Sequence, residues 1–153
     1  MGEHVQKHPE IVRQIAAAGH LLCNHTMRHD NMGTWSDDAI RADLEQASAI
    51  IREAVPDAKI NYFRAPYGSW GQTPEVAAKM GMQPLSWRLA IGDWEPPGTP
   101  ELVRRLREGI APRGVVLMHD GGGDRSQTVE AVDQIIPELK SEGRRFDKPA
   151  RRG

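Results

Sequence analysis

Short apolar runs alternate with amphipathic stretches along this chain, and that alternation restricts the fold more than any other feature. The runs cover residues 20–23, 60–63, 84–91 and 114–118, each followed by a loop rich in His, Asp, Gly or Pro. Between them, residues 9–18 open on Pro9 and close before Gly19, the asymmetry expected of a helix. Ser36 begins a second helix that ends before Pro56, with Leu44, Ala47, Ile50 and Ile51 on its apolar face. Thr73-Pro74-Glu75 starts a helix that stops at Gly81, and Thr99-Pro100-Glu101 one that ends by Pro112. Residues 126–139 form the last, stopped by Gly143. Strands alternating with helices predict an α/β chain with a parallel sheet or barrel. In such folds the chemistry gathers on loops after strand C-termini, where this chain places its unusual residues.

The 153 residues suit one domain, drawn here as residues 1–146, and the basic stretch 147–153 reads as a disordered tail. Lys and Arg number 20 against 21 Asp and Glu, which argues against a nucleic-acid partner held by phosphate contacts. One cysteine, Cys23, excludes an intrachain disulfide and reads as a buried, unreactive thiol. No apolar run is long enough for a membrane span, and the first residues lack the pattern of a secretory leader.

Four loops carry candidate chemistry. His25-Thr26-Met27-Arg28-His29 places two imidazoles four positions apart, on one face if the segment is helical. Two imidazoles so placed can share a metal ion; a polar His-rich turn capped by Thr26 is the other reading. Phe63-Arg64-Ala65-Pro66-Tyr67-Gly68 sets a guanidinium beside an awkward turn whose backbone N–H could face an oxyanion. Gly92-Asp93-Trp94 puts a carboxylate and an indole at one strand end. Leu117-Met118-His119-Asp120 puts an imidazole at another, ahead of Gly121-Gly122-Gly123, which reads as a flexible lip. A His in that position is a candidate general acid tuned by a neighbouring carboxylate.

In this order, His25-Thr26-x-x-His29, Arg64-x-Pro66-Tyr67-Gly68, Asp93-Trp94 and Leu117-Met118-His119-Asp120 resemble the polysaccharide deacetylase family. That is the NodB-homology domain, or carbohydrate esterase family four, and the similarity runs over nearly all the chain. The resemblance implies a distorted (β/α) barrel that holds a divalent metal, usually zinc, and removes acetyl groups from sugars. It implies that His25 and His29 bind the metal and that Tyr67 offers its backbone N–H to the oxyanion. It assigns Arg64 to steering a catalytic aspartate and His119 to protonating the leaving amine. Trp94 and Pro66 would line the sugar groove and Leu117 would meet the acetyl methyl; Trp70 is either a sugar platform or core packing. The implied partner is an acetylated carbohydrate of the chitin, peptidoglycan or xylan kind, N- or O-acetylated. Family members are often secreted or face the cell envelope.

Two departures qualify those expectations. The family's Thr-Phe-Asp-Asp-Gly-Pro block, source of the general base and third metal ligand, is absent, since no Asp precedes Asp30. The reading is therefore of a barrel incomplete at its N-terminus, with weakened or no activity unless Asp30, Asp120 or another chain substitutes. The rival reading is a non-catalytic carbohydrate- or metal-binding remnant. An incomplete barrel would also expose a sheet edge and invite self-association. Further along, the position of the family's second, His-tethering aspartate falls on Ala90, so either Asp93 tethers His119 or no residue does.

Overall fold

The computed structural model describes residues 1–150. They form six α-helices and four short strands, in two compact units: Met1–Ser86 together with Ala150, and Trp87–Pro149. The end of the tail, 151–153, lies outside the described residues; 147–150 take no regular secondary structure.

In the first unit, α1 (Gly2–Lys7) and α2 (Pro9–Ala17) precede α3 (Asp37–Ala54), β1 (Tyr62–Phe63), α4 (Thr73–Lys79) and β2 (Gln83–Pro84). Helix α1 was not expected from the sequence. Helix α3 starts where Ser36 accepts the Ala39 N–H on its hydroxyl, the N-cap that a Ser before an amphipathic run predicts. Strand β1 pairs in parallel with β2, and Asn24 bridges to Phe63 in the same sense. The expected strand at 20–23 is thus reduced to a single bridge at Asn24. Ile40, Leu44, Phe63, Val76 and Met32 fill the core and are fully buried. Trp70 packs edge-on to Phe63, with ring centroids 6.3 Å apart, so its indole belongs to this core's margin. Helix α2 buries no residue completely and leaves Ile11 and Ile15 exposed.

The second unit is built from β3 (Leu89–Ala90), α5 (Thr99–Gly109), β4 (Val116–Leu117) and α6 (Ser126–Ser141). The run at 84–91 therefore splits between β2 and β3, with Ser86 exposed between them. Strands β3 and β4 are parallel, Leu89 opposite Val116 and Ala90 opposite Leu117. Their right-hand neighbours in sequence, α5 and α6, pack Leu102, Leu106, Ala131, Ile135 and Leu139 with Ile91 into one apolar cluster. The chain is α/β with every strand pair parallel, as the alternation predicts. Among the described residues no helix is long and apolar enough to cross a membrane.

Candidate functional site

In the first unit the two histidines meet, but not by the expected route. The segment from His25 to His29 is not helical: Thr26 has φ 66° and His29 φ 65°, both in the left-handed region. The ring centroids nevertheless lie 4.8 Å apart, edge to face. A β-branched residue at positive φ costs on the order of 1–3 kcal/mol, so the loop must be held by other bonds. Those bonds are present. Fully buried Asn24 donates from its amide to Leu44 O at 2.8 Å and Ser48 Oγ at 2.9 Å on α3, and accepts the Thr26 N–H at 3.0 Å. Asp43 accepts the Met27 N–H at 3.1 Å, and the Thr26 hydroxyl accepts the His29 N–H at 3.0 Å, the capping role expected of it. From α1, the Gly2 and Glu3 N–H groups donate to the carbonyls of Thr26 and Met27.

His25 lies 2.7 Å through Nδ1 from the backbone oxygen of Arg64. A carbonyl only accepts, so that nitrogen carries the proton and Nε2 keeps its lone pair. Burial, opposed by that hydrogen bond, pulls the His25 pKa down to about 4, so the ring is neutral near pH 7. A neutral imidazole with one nitrogen fixed by a carbonyl is the usual form of a metal-binding His. The pair thus fits a divalent transition metal in donor chemistry. Its number of donors is small: among the described residues no three His, Cys, Asp or Glu gather to hold an ion. Asp30 is half-buried and lies near Asp43, while Asp120 is exposed.

Tyr67 stands beside this pair. Its ring meets His29 edge-on at 4.6 Å between centroids, with 74% of the residue exposed. It sits at φ 56°, ψ 8° in a 3₁₀ turn, Pro66–Gly68, closed by Gly68 N–H to Ala65 O and Ser69 N–H to Pro66 O. The Tyr67 N–H takes part in neither closing bond. Pro66 is buried and fixes the turn. Half-buried Arg64 donates from Nε to Leu85 O at 3.3 Å, and burial pulls its guanidinium below the usual value.

Half-buried Cys23 precedes this loop, and burial pushes its thiol up to about 11. The protonated form is therefore favoured in the folded chain: the contribution is complete below the unfolded value near 9 and is lost as pH climbs through 11. Iodoacetamide at pH 8 is expected to label Cys23 at least tenfold more slowly in the native chain than in urea, read by mass spectrometry.

In the second unit the sequence-predicted residues form a tight group. Asp93, 1% exposed, accepts the His119 backbone N–H on Oδ2 at 2.7 Å and faces His119 Nδ1 with Oδ1 at 2.9 Å. The Thr128 hydroxyl donates to Oδ2 at 3.2 Å. One carboxylate thus fixes both the backbone and the ring of His119, leaving Nε2 as the nitrogen turned away from Asp93. Trp94, 47% exposed, sets its indole edge-on to that imidazole at 5.6 Å. Leu117 is buried in β4, two residues before His119.

Sequence reasoning missed the supports of these groups. Asn24 and Asp43 hold the first loop, and Thr128 and Arg125 hold the second. Asn24 adjoins the His block and could have been noticed there; the other three stand in or beside helices with no local signal. The triglycine expected as a flexible lip is also tied: Arg125 donates to the Gly121 and Gly122 carbonyls at 3.0 and 3.1 Å.

Comparison with known proteins identifies relatives over most of the chain. The polysaccharide deacetylase family model matches residues 1–85. A chitooligosaccharide deacetylase of Rhizobium leguminosarum bv. trifolii is 33% identical over 155 residues, covering 94% of this chain and 72% of that protein. A peptidoglycan-N-acetylglucosamine deacetylase of Bacillus cereus is 35% identical over 149 residues, covering 95% and 69%. Among solved structures, a family-four carbohydrate esterase pseudoenzyme of Bacillus anthracis superposes with TM-score 0.85 at 30% identity, over 94% of this chain and 50% of that one. This chain therefore spans about half the length of that structure and about seven-tenths of the two curated relatives. With its ordered blocks, its parallel α/β units and these relatives, the chain belongs to the polysaccharide deacetylase family.

Proposed function

We propose that this chain is a metal-dependent deacetylase acting on N-acetylated sugar polymers of the chitin or peptidoglycan kind, with low turnover. The observation that carries this reading is the Asp93–His119 pair beside an exposed indole, in a chain whose relatives are deacetylases of acetylated glucosamine polymers. His25 and His29 would hold the cation, most fittingly zinc. When bound, such an ion supplies Lewis acidity toward the acetyl carbonyl and toward water.

The chain's own residues supply the rest. The Tyr67 N–H, fixed at positive φ in its turn, donates to the oxyanion that develops as the carbonyl is attacked. His119, held through Nδ1 by Asp93, gives a proton from Nε2 to the departing sugar nitrogen. Trp94 offers a face to the apolar side of a pyranose ring and Leu117 meets the acetyl methyl, while Pro66 fixes the turn that carries Tyr67 and adds to the sugar contact. Arg64 keeps the loop that presents His25 in place through its carbonyl. The strands are proposed to follow the family's distorted (β/α) barrel. Among the described residues no third His, Cys, Asp or Glu joins the pair, so the cation would be loosely held, which is the reason for low turnover.

Acetate release from chito-oligosaccharides and peptidoglycan fragments, with and without zinc, tests this reading. The expected result is slow, zinc-stimulated release that His119→Ala abolishes, with zinc retention lowered about tenfold or more by His25→Ala. Release indifferent to both substitutions would overturn it. The likeness to a pseudoenzyme, and a histidine pair with no third ligand among the described residues, favour a second reading as a non-catalytic carbohydrate- or metal-binding domain. Oligosaccharide binding with no acetate release at any zinc concentration would select it.

A further inference from the structure

We propose that Arg125 is a positioning residue that clamps the two loops of the second unit, and that without it the Asp93–His119 pair loses its fixed geometry. The inference rests on the reading of His119 as the proton donor, but its geometry stands apart from activity. Arg125 occupies the N-cap position of α6 and is half-buried. Its guanidinium spans two loops: Nη1 donates to the Asp93 carbonyl at 3.1 Å, with the Trp94 carbonyl at 3.5 Å. On the other side Nε and Nη2 donate to Gly121 O and Gly122 O at 3.0 and 3.1 Å.

These are the loops that leave β3 and β4, and each carries one member of the pair. Gly122 and Gly123 sit at φ 78° and 137°, and Gly92 at φ 68°, so each loop turns at glycines that lack side-chain sterics of their own. The planar fork of an arginine can reach carbonyls on both sides at once, whereas a lysine ammonium offers one compact donor centre on a flexible stem. Thr128, one turn along α6, adds its hydroxyl bond to Asp93 Oδ2. The first turn of α6 thus holds the aspartate by its backbone through Arg125 and by its carboxylate through Thr128. The clamp acts on His119 only through these loops, and it fixes where the Trp94 indole stands against the imidazole.

The test reads the imidazole itself. In ¹⁵N-labelled full chain, the His119 Nδ1–H proton, identified by its loss in His119→Gln, reports the bond to Asp93. Arg125→Ala is expected to broaden that signal severalfold or remove it, with the far-ultraviolet circular dichroism unchanged. Methylguanidine at tens of millimolar is expected to restore the signal, while Arg125→Lys leaves it broadened. A sharp, unshifted signal in Arg125→Ala would overturn the proposal, as would full retention in Arg125→Lys. Should Arg125→Ala unfold, the milder Arg125→Gln carries the same comparison. An inactive wild-type chain that still loses the signal in Arg125→Ala supports the clamp and counts only against the hydrolase reading.

Discussion

Asp93→Ala is expected to cost the fold about 3 kcal/mol, the range for stranding buried partners of a lost carboxylate. Three groups lose their acceptor at once: the His119 N–H, its ring Nδ1 and the Thr128 hydroxyl. Asp93 is 1% exposed, so water cannot enter to replace it without opening the loop. For a chain of this size the loss corresponds to a fall in Tm of about 6–12 °C, measurable by circular dichroism. Asp93→Asn separates shape from charge. It retains one acceptor oxygen but turns an NH₂ toward a donor, either the His119 N–H or Nδ1–H. If the amide faces the ring, Nδ1 must stay unprotonated and the carboxylate charge is gone, so the imidazolium that gives its proton from Nε2 is disfavoured. The expected outcome is a smaller stability loss, about 1–2 kcal/mol, with acetate release reduced to the level of His119→Ala. A stability change below about 0.5 kcal/mol in Asp93→Ala would deny the network any structural weight.

Gly71→Ala is expected to be at least as damaging, for a steric reason. Gly71 sits at φ 45°, and a Cβ there would overlap the carbonyl oxygen of Gly33 and lie 2.8 Å from its carbonyl carbon and Cα. The neighbour is backbone, so no rotamer change relieves the clash, and the loops at 33 and 71 must part. The expected cost is about 3 kcal/mol or more. Gly19→Ala provides the control. It also has positive φ, 84°, but nothing lies within 4 Å of the added carbon, so only the conformational penalty of about 1 kcal/mol applies. Equal losses for the two variants, by urea unfolding, would show that the close approach of Gly33 and Gly71 is not a constraint.

The helices were legible because their caps and periods are local. Ser36, Pro9, Gly81 and Gly143 each mark an end within two residues of where it falls. The strands were overdrawn. The run at 20–23 forms no strand, those at 60–63 and 114–118 keep two strand residues each, and that at 84–91 is divided between β2 and β3, because pairing depends on a neighbour that no local pattern names. The spacing of the histidines points to the pair, but a helical face is not what brings the rings together. A four-residue separation suggests one face of a helix, whereas here the rings meet across a loop with two left-handed residues. Long-range partners such as Asp43 for Met27 and Thr128 for Asp93 were invisible, since they stand 16 and 35 positions away. The sequence leaves Asp93 open between tethering His119 and no such role, and its bonds to His119 decide between them.

Coil usually absorbs an inserted residue with little consequence. The stretch from Asn24 to His29 cannot, although it carries no helix or regular strand. The N–H groups of Asn24, Thr26, Met27 and His29 and the carbonyls of Asn24, Thr26 and Met27 have fixed counterparts on α1, α3, β1, Arg64 or within the segment itself, and one extra residue would misregister that set. A change in the length of this segment should therefore be tolerated far less than a substitution at its exposed Arg28.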